Sequence, residues 1–308
     1  MSDLTGKLTE MGYAAGWAAV RHAPDSLARK LFDEAGGFFG KRNGGPAQLR
    51  RNLARVVGTT PEEVPDDLMV ASIQSYSRYW YEAFRLPAMD PIEAAASVVV
   101  PAEDQARLDA AMARGKGVIL ALPHSGNWDM CAVWLVQNRA SATVVAERVE
   151  PESLFQRFVA FREAIGIEVL PLTGGEQPPF EVLKQRLRDN KIIGLLGERD
   201  LAHHGVPVTF FGEPTRMPAG PALLAMETGA ALLPIHHWFL DAPRSQISCG
   251  EPIDPSGGLE ATTQALADAF AAKIAEHPQD WHMLQPLWEA DWSAERRARI
   301  ENGPEPTR

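Results

Sequence analysis

The segment His124-Ser125-Gly126-Asn127-Trp128-Asp129 sets an imidazole and a carboxylate five positions apart, directly after the apolar run Gly117-Val118-Ile119-Leu120-Ala121-Leu122. That run reads as a buried parallel strand, and Met130 to Gln137 reads as a mostly apolar helix. His124 therefore falls where a strand hands over to a helix, the position at which open α/β sheets bind ligands. An imidazole there, with a carboxylate close by, can take the proton of an alcohol as it attacks an acyl group. Each neighbour also has a plainer reading. Asp129 suits the positive end of a helix dipole, and Asn127 is an ordinary helix N-cap. Backbone N–H groups at that helix start are expected to stabilise a developing oxyanion.

A second polar cluster, Gly197-Glu198-Arg199-Asp200, follows another apolar run, Ile192-Ile193-Gly194-Leu195-Leu196. Two polar turns that each end a buried strand should open on the same edge of a parallel sheet, and the pairing is what makes a site credible. Glu198 is then the second candidate partner of His124, the alternative being a surface ion pair with Arg199. Several chemistries are excluded by absence: there is no Gly-x-Ser-x-Gly elbow, Walker A sequence, Gly-x-Gly-x-x-Gly or His-Glu-x-x-His. His203-His204 and His236-His237 suggest a metal, but adjacent strand residues face opposite ways, so each pair offers one ligand at most and no metal is expected.

The elements that would hold these turns alternate from about residue 103. Helix, strand and helix follow one another through Arg107–Arg114, the His124 strand, Ala142–Ala146, Phe155–Ile165, Ile167–Leu170, Phe180–Arg188 and Lys191–Leu196. Strands at Val206–Phe211, Ala231–His236 and Gln246–Cys249, with helices over Pro218–Thr228 and Gly258–Glu276, complete the set. The expected fold class is α/β, a largely parallel sheet covered by helices on both faces, with an N-terminal helical region. Residues 1–102 form that helical region, residues 103–292 the α/β core in one domain with it, and residues 293–308 a loosely ordered tail. Tyr13, Trp17 and Val20, then Leu49, Leu53 and Val56, and then Tyr76, Trp80 and Phe84 fall at helical spacing, with Gly36-Gly37 and Gly44-Gly45-Pro46 as punctuation.

With 308 residues, 45% of them apolar, the chain can bury a full core, and no segment approaches twenty uninterrupted apolar residues. The N-terminus has no signal-peptide pattern. Two cysteines do not make a disulfide framework. A net charge of −10 argues against nucleic acid as a partner. The charge is uneven: residues 1–60 carry nine Lys/Arg against five Asp/Glu, and the remainder 21 against 35. A basic helical segment with Trp17, Phe32, Phe38 and Phe39 suits an anionic membrane surface, although such aromatic stripes also serve as core.

The stretches Val118–Asp129, Gly197–Asp200, Val208–Pro221 (with Phe210-Phe211-Gly212), Met226–Pro234 and His277–Trp281 resemble, in order, the bacterial lipid A biosynthesis acyltransferase family. Within it the chain looks most like the phosphatidylinositol mannoside acyltransferases of actinobacteria. The resemblance implies transfer of a long fatty acyl group from acyl-CoA to a mannose hydroxyl of a phosphatidylinositol mannoside, at the cytoplasmic face of the cell membrane and without a bound cofactor. His124 would be the general base with Glu198 or Asp129 as its partner. Arg162, which matches an Arg common in the family, Glu147 after its strand, Asn127, Trp128 and Arg199 would bind substrate. The chain departs from the family in having no membrane-spanning helix, and in carrying Glu198-Arg199 where relatives usually carry Asp-Gln. Two other readings use the same residues: a thioesterase or lipase with water as acceptor, and a lipid-binding protein without catalysis.

Overall fold

The structure, a computed structural model, describes residues 17, 19–148, 151–175, 177–200 and 205–302. Its strands are β1 (Val98–Val99), β2 (Val118–Leu122), β3 (Ala142–Ala146), β4 (Glu168–Pro171), β5 (Ile192–Leu196), β6 (Val206–Phe210), β7 (Glu213–Met217), β8 (Ala231–Phe239) and β9 (Ser245–Cys249). Seven of them form one sheet in the order β1-β9-β8-β2-β5-β3-β4. Every neighbouring pair in it is parallel except β8 and β9.

The N-terminal helices are α1 (Asp25–Lys41), α2 (Ala47–Val57), α3 (Asp66–Arg85) and α4 (Pro91–Ala96). Those associated with the sheet are α5 (Ala102–Ala113), α6 (Trp128–Asn138), α7 (Glu152–Ala164), α8 (Pro179–Arg188), α9 (Gly220–Thr228) and α10 (Gly258–Glu276), and α11 (Ala294–Asn302) ends the described chain. Strand β2 shows why both faces are covered. Val118 and Leu120 pack in one apolar cluster with Met130 and Val133 of α6, while Ile119 and Ala121 pack in another with Leu266 and Phe270 of α10. A strand with apolar residues on both faces has to be covered on both, which is the layered arrangement its composition implies.

Three local expectations are corrected. First, Val206–Phe211 does not complete the sheet. β6 ends at Phe210 and pairs antiparallel with β7 as a separate hairpin. Its two-residue loop, Phe211-Gly212, has φ of +49° and +78°, the signature of a mirror-image turn whose twist suits a hairpin. Phe where Asn or Asp usually stands hides that signal, and the ring is held by packing on Phe210, Trp281 and Trp288.

Second, Gly36-Gly37 does not break a helix; α1 runs through it. A Cβ on Gly36 or Gly40 would come within 2.8 Å of the backbone of α3, at Gln74 or Val70. The glycines, one turn apart, serve close helix packing rather than a turn. Third, residues 293–302 of the tail expected to be loose over 293–308 carry α11, where Arg296 lies over the Trp292 ring at 4.6 Å and Arg297 donates to the Glu289 and Ala290 carbonyls, and residues 303–308 lie outside the described residues. Tyr13 and the His203-His204 pair lie outside the described residues.

Candidate active site

The register of the sheet builds the site. β2 and β5 are parallel neighbours with Leu122 opposite Leu196, so residues two beyond each strand, His124 and Glu198, emerge side by side. Glu198 Oε1 lies 2.9 Å from His124 Nδ1 and also accepts the His124 backbone N–H at 2.6 Å. The Trp281 indole N–H points at the same oxygen from 3.4 Å. Glu198 is fully buried, whereas the His124 side chain is about a quarter exposed, at 24%. Burial on its own would raise the Glu198 pKa, but the adjoining His124 ring and backbone N–H reverse this and hold it below the usual carboxylate range. The pair is therefore an ionised, enclosed carboxylate fixing one imidazole nitrogen, with the other nitrogen available on the exposed side.

Asp129 does not share this contact. It accepts two bonds from the Arg162 guanidinium, Nε at 2.7 Å and Nη2 at 3.1 Å. The carboxylate that orients His124, left open between Asp129 and Glu198 by the sequence, is Glu198. Arg199 does not pair with Glu198 either; its nearest carboxylate is Glu147, at 3.8 Å and partly exposed. Asn127 caps α6, its Oδ1 accepting the N–H groups of Asp129 and Met130 at 3.0 and 3.3 Å.

Most of the backbone N–H groups expected as oxyanion donors near Asn127 are already engaged; among the described residues that of Trp128, the first residue of α6, is the exception. The backbone N–H groups of Ser125, Gly126, Asn127, Asp129 and Met130 already donate, to the Pro123 carbonyl, the Asp280 carbonyl, His237 Nδ1 and Asn127 Oδ1.

Several residues that hold the turn were not singled out from the sequence. Gly126 has φ +55° and lies so near β8 that a Cβ would fall 2.0 Å from His237 Nδ1. The His282 N–H donates to the His124 carbonyl at 2.8 Å, and Ser125 bridges to Trp281. His282 Nε2 lies 2.9 Å from Ser75 Oγ, which donates to Asp280 at 2.6 Å. Asn127 Nδ2 donates at 2.9 Å to Glu82, which also takes the Arg78 guanidinium.

Burial pushes Asp280 up to about 6 and His282 down to about 3, so this support is largely uncharged at neutral pH on the His282 side. The only cue in the sequence was the His277–Trp281 stretch, which carried the family resemblance but no chemistry of its own. His236 and His237 face opposite sides, as strand alternation requires: His237 holds the turn, and His236 lies against Trp238 and His277.

Beside the pair, an apolar cavity of about 260 Å³ runs over one face of the sheet, beneath α6 and α7. Leu120, Leu122, Val144 and Gly194 line its sheet side, and Trp128, Phe158 and Arg162 its helix side. The Trp128 ring meets His124 edge to face with centroids 5.5 Å apart and packs, tilted by 36°, against Tyr79 at 4.3 Å. One ring thus joins the polar pair to the apolar cavity. Glu147 and Asp129 also reach the lining. The arrangement can bind an extended apolar chain and move a proton at one end of it.

Of the aromatic residues expected at a membrane surface, Trp17 is buried against Phe84 and Phe158, and Phe32 packs on Tyr81 and Phe84. Phe38 and Phe39 are exposed at 61% and 55%, and so are Leu27 and Leu31 on the same helix. Among the described residues no helix is long and apolar enough to cross a membrane.

A family model for bacterial lipid A biosynthesis acyltransferases matches residues 3–290 of the chain. The phosphatidylinositol mannoside acyltransferase of Mycolicibacterium smegmatis is 59% identical over 297 residues, covering 96% of this chain and 97% of that one. The phosphatidylinositol mannoside acyltransferase of Mycobacterium tuberculosis is 55% identical over 306 residues, 98% of this chain and 95% of that one.

Proposed function

The chain belongs to the bacterial lipid A biosynthesis acyltransferase family, and from that premise we propose that it transfers a long, palmitoyl-like acyl group from acyl-CoA to a mannose hydroxyl of a phosphatidylinositol mannoside. The observation that carries the chemistry is the His124–Glu198 pair, joined through Trp128 to an apolar cavity. With Nδ1–H donated to Glu198, His124 Nε2 takes the proton of the acceptor hydroxyl as that oxygen attacks the thioester carbonyl. Glu198 keeps the tautomer and stabilises the imidazolium that forms. The C–S bond then breaks, the coenzyme A thiolate leaves, and the proton on Nε2 passes to it. The new ester bond forms directly, with no acyl-enzyme and no bound cofactor.

The cavity's apolar walls favour the donor chain, since each buried methylene contributes roughly 0.8 kcal/mol. Glu147, Arg162 and Arg199 are assigned to the polar part of the substrates: Glu147 and Arg162 line the cavity, and Arg199 lies 3.8 Å from Glu147. Asn127 supports the turn through its cap, and Trp128 walls the chain.

The reading also sets the protein on the cytoplasmic face of the cell membrane as a peripheral protein. Leu27, Leu31 and Phe38 line the side of α1 opposite Gly36 and Gly40, with Lys41 and Arg42 at its C-terminal end and Lys30, paired with Glu34 at 3.8 Å, beside them. An apolar stripe edged by cations suits an anionic bilayer surface. Flotation with anionic liposomes should fall with salt and with the double change Leu31→Asp/Phe38→Asp; flotation indifferent to both would remove the membrane claim.

The deciding experiment is thiol release from palmitoyl-CoA with and without a phosphatidylinositol mannoside, the lipid product identified by mass. Acceptor-dependent release with one acyl group added, lost in His124→Ala and reduced 10²- to 10⁴-fold (order of magnitude) in Glu198→Gln, is the expected result. Release that ignores the acceptor would identify a thioesterase. Acyl-CoA binding without turnover would identify a lipid-binding protein.

A further inference from the structure

Helix α7 has two working faces. Phe155, Phe158 and Arg162 line the cavity already described, whereas Arg157, Ala160, Phe161 and Ala164, on the opposite side of the helix, line a second cavity of about 550 Å³. This second cavity opens between α7, Trp17 with the helical residues 19–22, and the segment from Leu86 to Ala94, with Val133 of α6 at its base.

Its floor is apolar and built into the core: Leu86, Ala94, Val133 and Phe161 are all buried. Among the described residues its polar lining is Arg21, His22 and Arg157, and no carboxylate lines it. Arg21 donates one N–H to the Pro87 carbonyl at 3.2 Å, which ties that guanidinium to the wall. Among the described residues neither Arg21 nor Arg157 is ion-paired with a carboxylate, although most of the arginines that hold the rest of the fold are. A volume within the range of small-molecule sites, an apolar base and guanidinium groups with unspent hydrogen-bonding capacity make a consistent set.

We propose that this second cavity is a binding site for a single-chain anionic amphiphile, its phosphate or carboxylate head held by Arg21 and Arg157 and its hydrocarbon tail lying on the Leu86–Val133–Phe161 floor. The site is separate from the His124 cavity, with Trp17 and α7 between them: Trp17 lines the second cavity while its ring packs on Phe158 of the first. It therefore does not depend on which reaction the first site performs.

The test is the stoichiometry of dodecyl phosphate binding to the intact chain by calorimetry, below the critical micelle concentration, with dodecyl maltoside as the neutral probe of the same tail. Two equivalents of dodecyl phosphate are expected, one for each cavity. Ala160→Trp, an exposed position in the lining, should fill the second cavity and leave one equivalent. Arg21→Gln/Arg157→Gln should weaken one equivalent by roughly tenfold or more and leave the other unchanged. Dodecyl maltoside should not occupy the second cavity. Binding that is insensitive to both variants, whatever its stoichiometry, or equal binding of the neutral probe would each overturn the proposal. Because the first two readouts are on the unaltered chain and on a lining residue outside the core, a misfolded arginine variant would leave the question decidable.

Discussion

Gly126→Ala isolates the constraint on the His124 turn. Two costs act on it. The φ of +55° asks an L-residue to adopt a left-handed conformation, worth about 1–2 kcal/mol. The new Cβ would also meet His237 Nδ1 at 2.0 Å and the His237 carbonyl oxygen at 2.7 Å. That carbonyl belongs to β8, which is paired with β2 on one side and β9 on the other, so the turn rather than the strand has to yield, by about 1 Å to reach any tolerable contact.

Such a shift breaks the 2.9 Å bond from the Asn127 N–H to His237 Nδ1 and leaves a buried donor unpaired, about 1–3 kcal/mol more. The total is about 2–5 kcal/mol. Gly212→Ala is the control: its φ is +78°, but nothing lies within 4 Å of the added Cβ, so only the first cost applies. Urea unfolding should therefore show Gly126→Ala less stable than Gly212→Ala by about 1–3 kcal/mol. Turnover should fall roughly a hundredfold in Gly126→Ala, because His124 moves with the turn, and stay near normal in Gly212→Ala. Equal stability losses in the two variants, or full turnover in Gly126→Ala, would refute the argument that β8 fixes this turn.

Asp129→Asn should destabilise the fold by about 3–5 kcal/mol, since it strands the enclosed Arg162; lost turnover with unchanged unfolding would instead give Asp129 a part in the chemistry. Burial lowers His236 to about 3 from an ordinary 6.5, so between those values the unfolded chain binds a proton that the folded one refuses, and stability drains as pH falls through that window. Asp280, raised to about 6, works in the opposite sense between 3.8 and 6, so comparison with a variant is needed to see the His236 share. His236→Phe should flatten the acid limb by up to about 1.4 kcal/mol per pH unit, read from unfolding curves at pH 4 to 6; an unchanged slope would show that His236 is not the group. Gly194→Val puts a side chain where the cavity meets the sheet, its Cβ 3.3 Å from Val144. Displacing two methylenes should lower palmitoyl transfer relative to decanoyl transfer roughly tenfold, measured by competition, and an unaltered preference would exclude this cavity as the seat of the chain.

The sequence made the parallel layers legible because β2 and β5 are apolar on both faces, a pattern that solvent-exposed strands do not show. It also located His124 and Glu198, since strand ends in such sheets converge on one edge. It could not decide between Glu198 and Asp129, because that choice depends on Leu122 being opposite Leu196, a register no single strand encodes. The hairpin of β6 and β7 was hidden because its turn carries Phe211 at a position where small polar residues are the usual signal. The role of Gly36 and Gly40 was hidden for a related reason: glycine marks either a turn or a close approach, and only the presence of α3 opposite distinguishes them. Ser75, Asp280 and His282 reach the turn from parts of the chain some 50 and 160 residues away, beyond any local pattern.

That distance has a consequence for how the protein comes into being. The His124 turn is fastened by the Asp280 carbonyl, the Trp281 bridge and the His282 N–H, all of which leave the ribosome long after the strand that bears the histidine. At about 5–20 residues per second, the interval between the two is of the order of ten seconds. During it the nascent sheet can gather its early strands, and Glu82, Glu198 and His237 can already meet the turn, but three of its fastenings are still to come. A chain that stops short of residue 280 is therefore expected to hold its sheet but to leave the His124 turn only partly fastened.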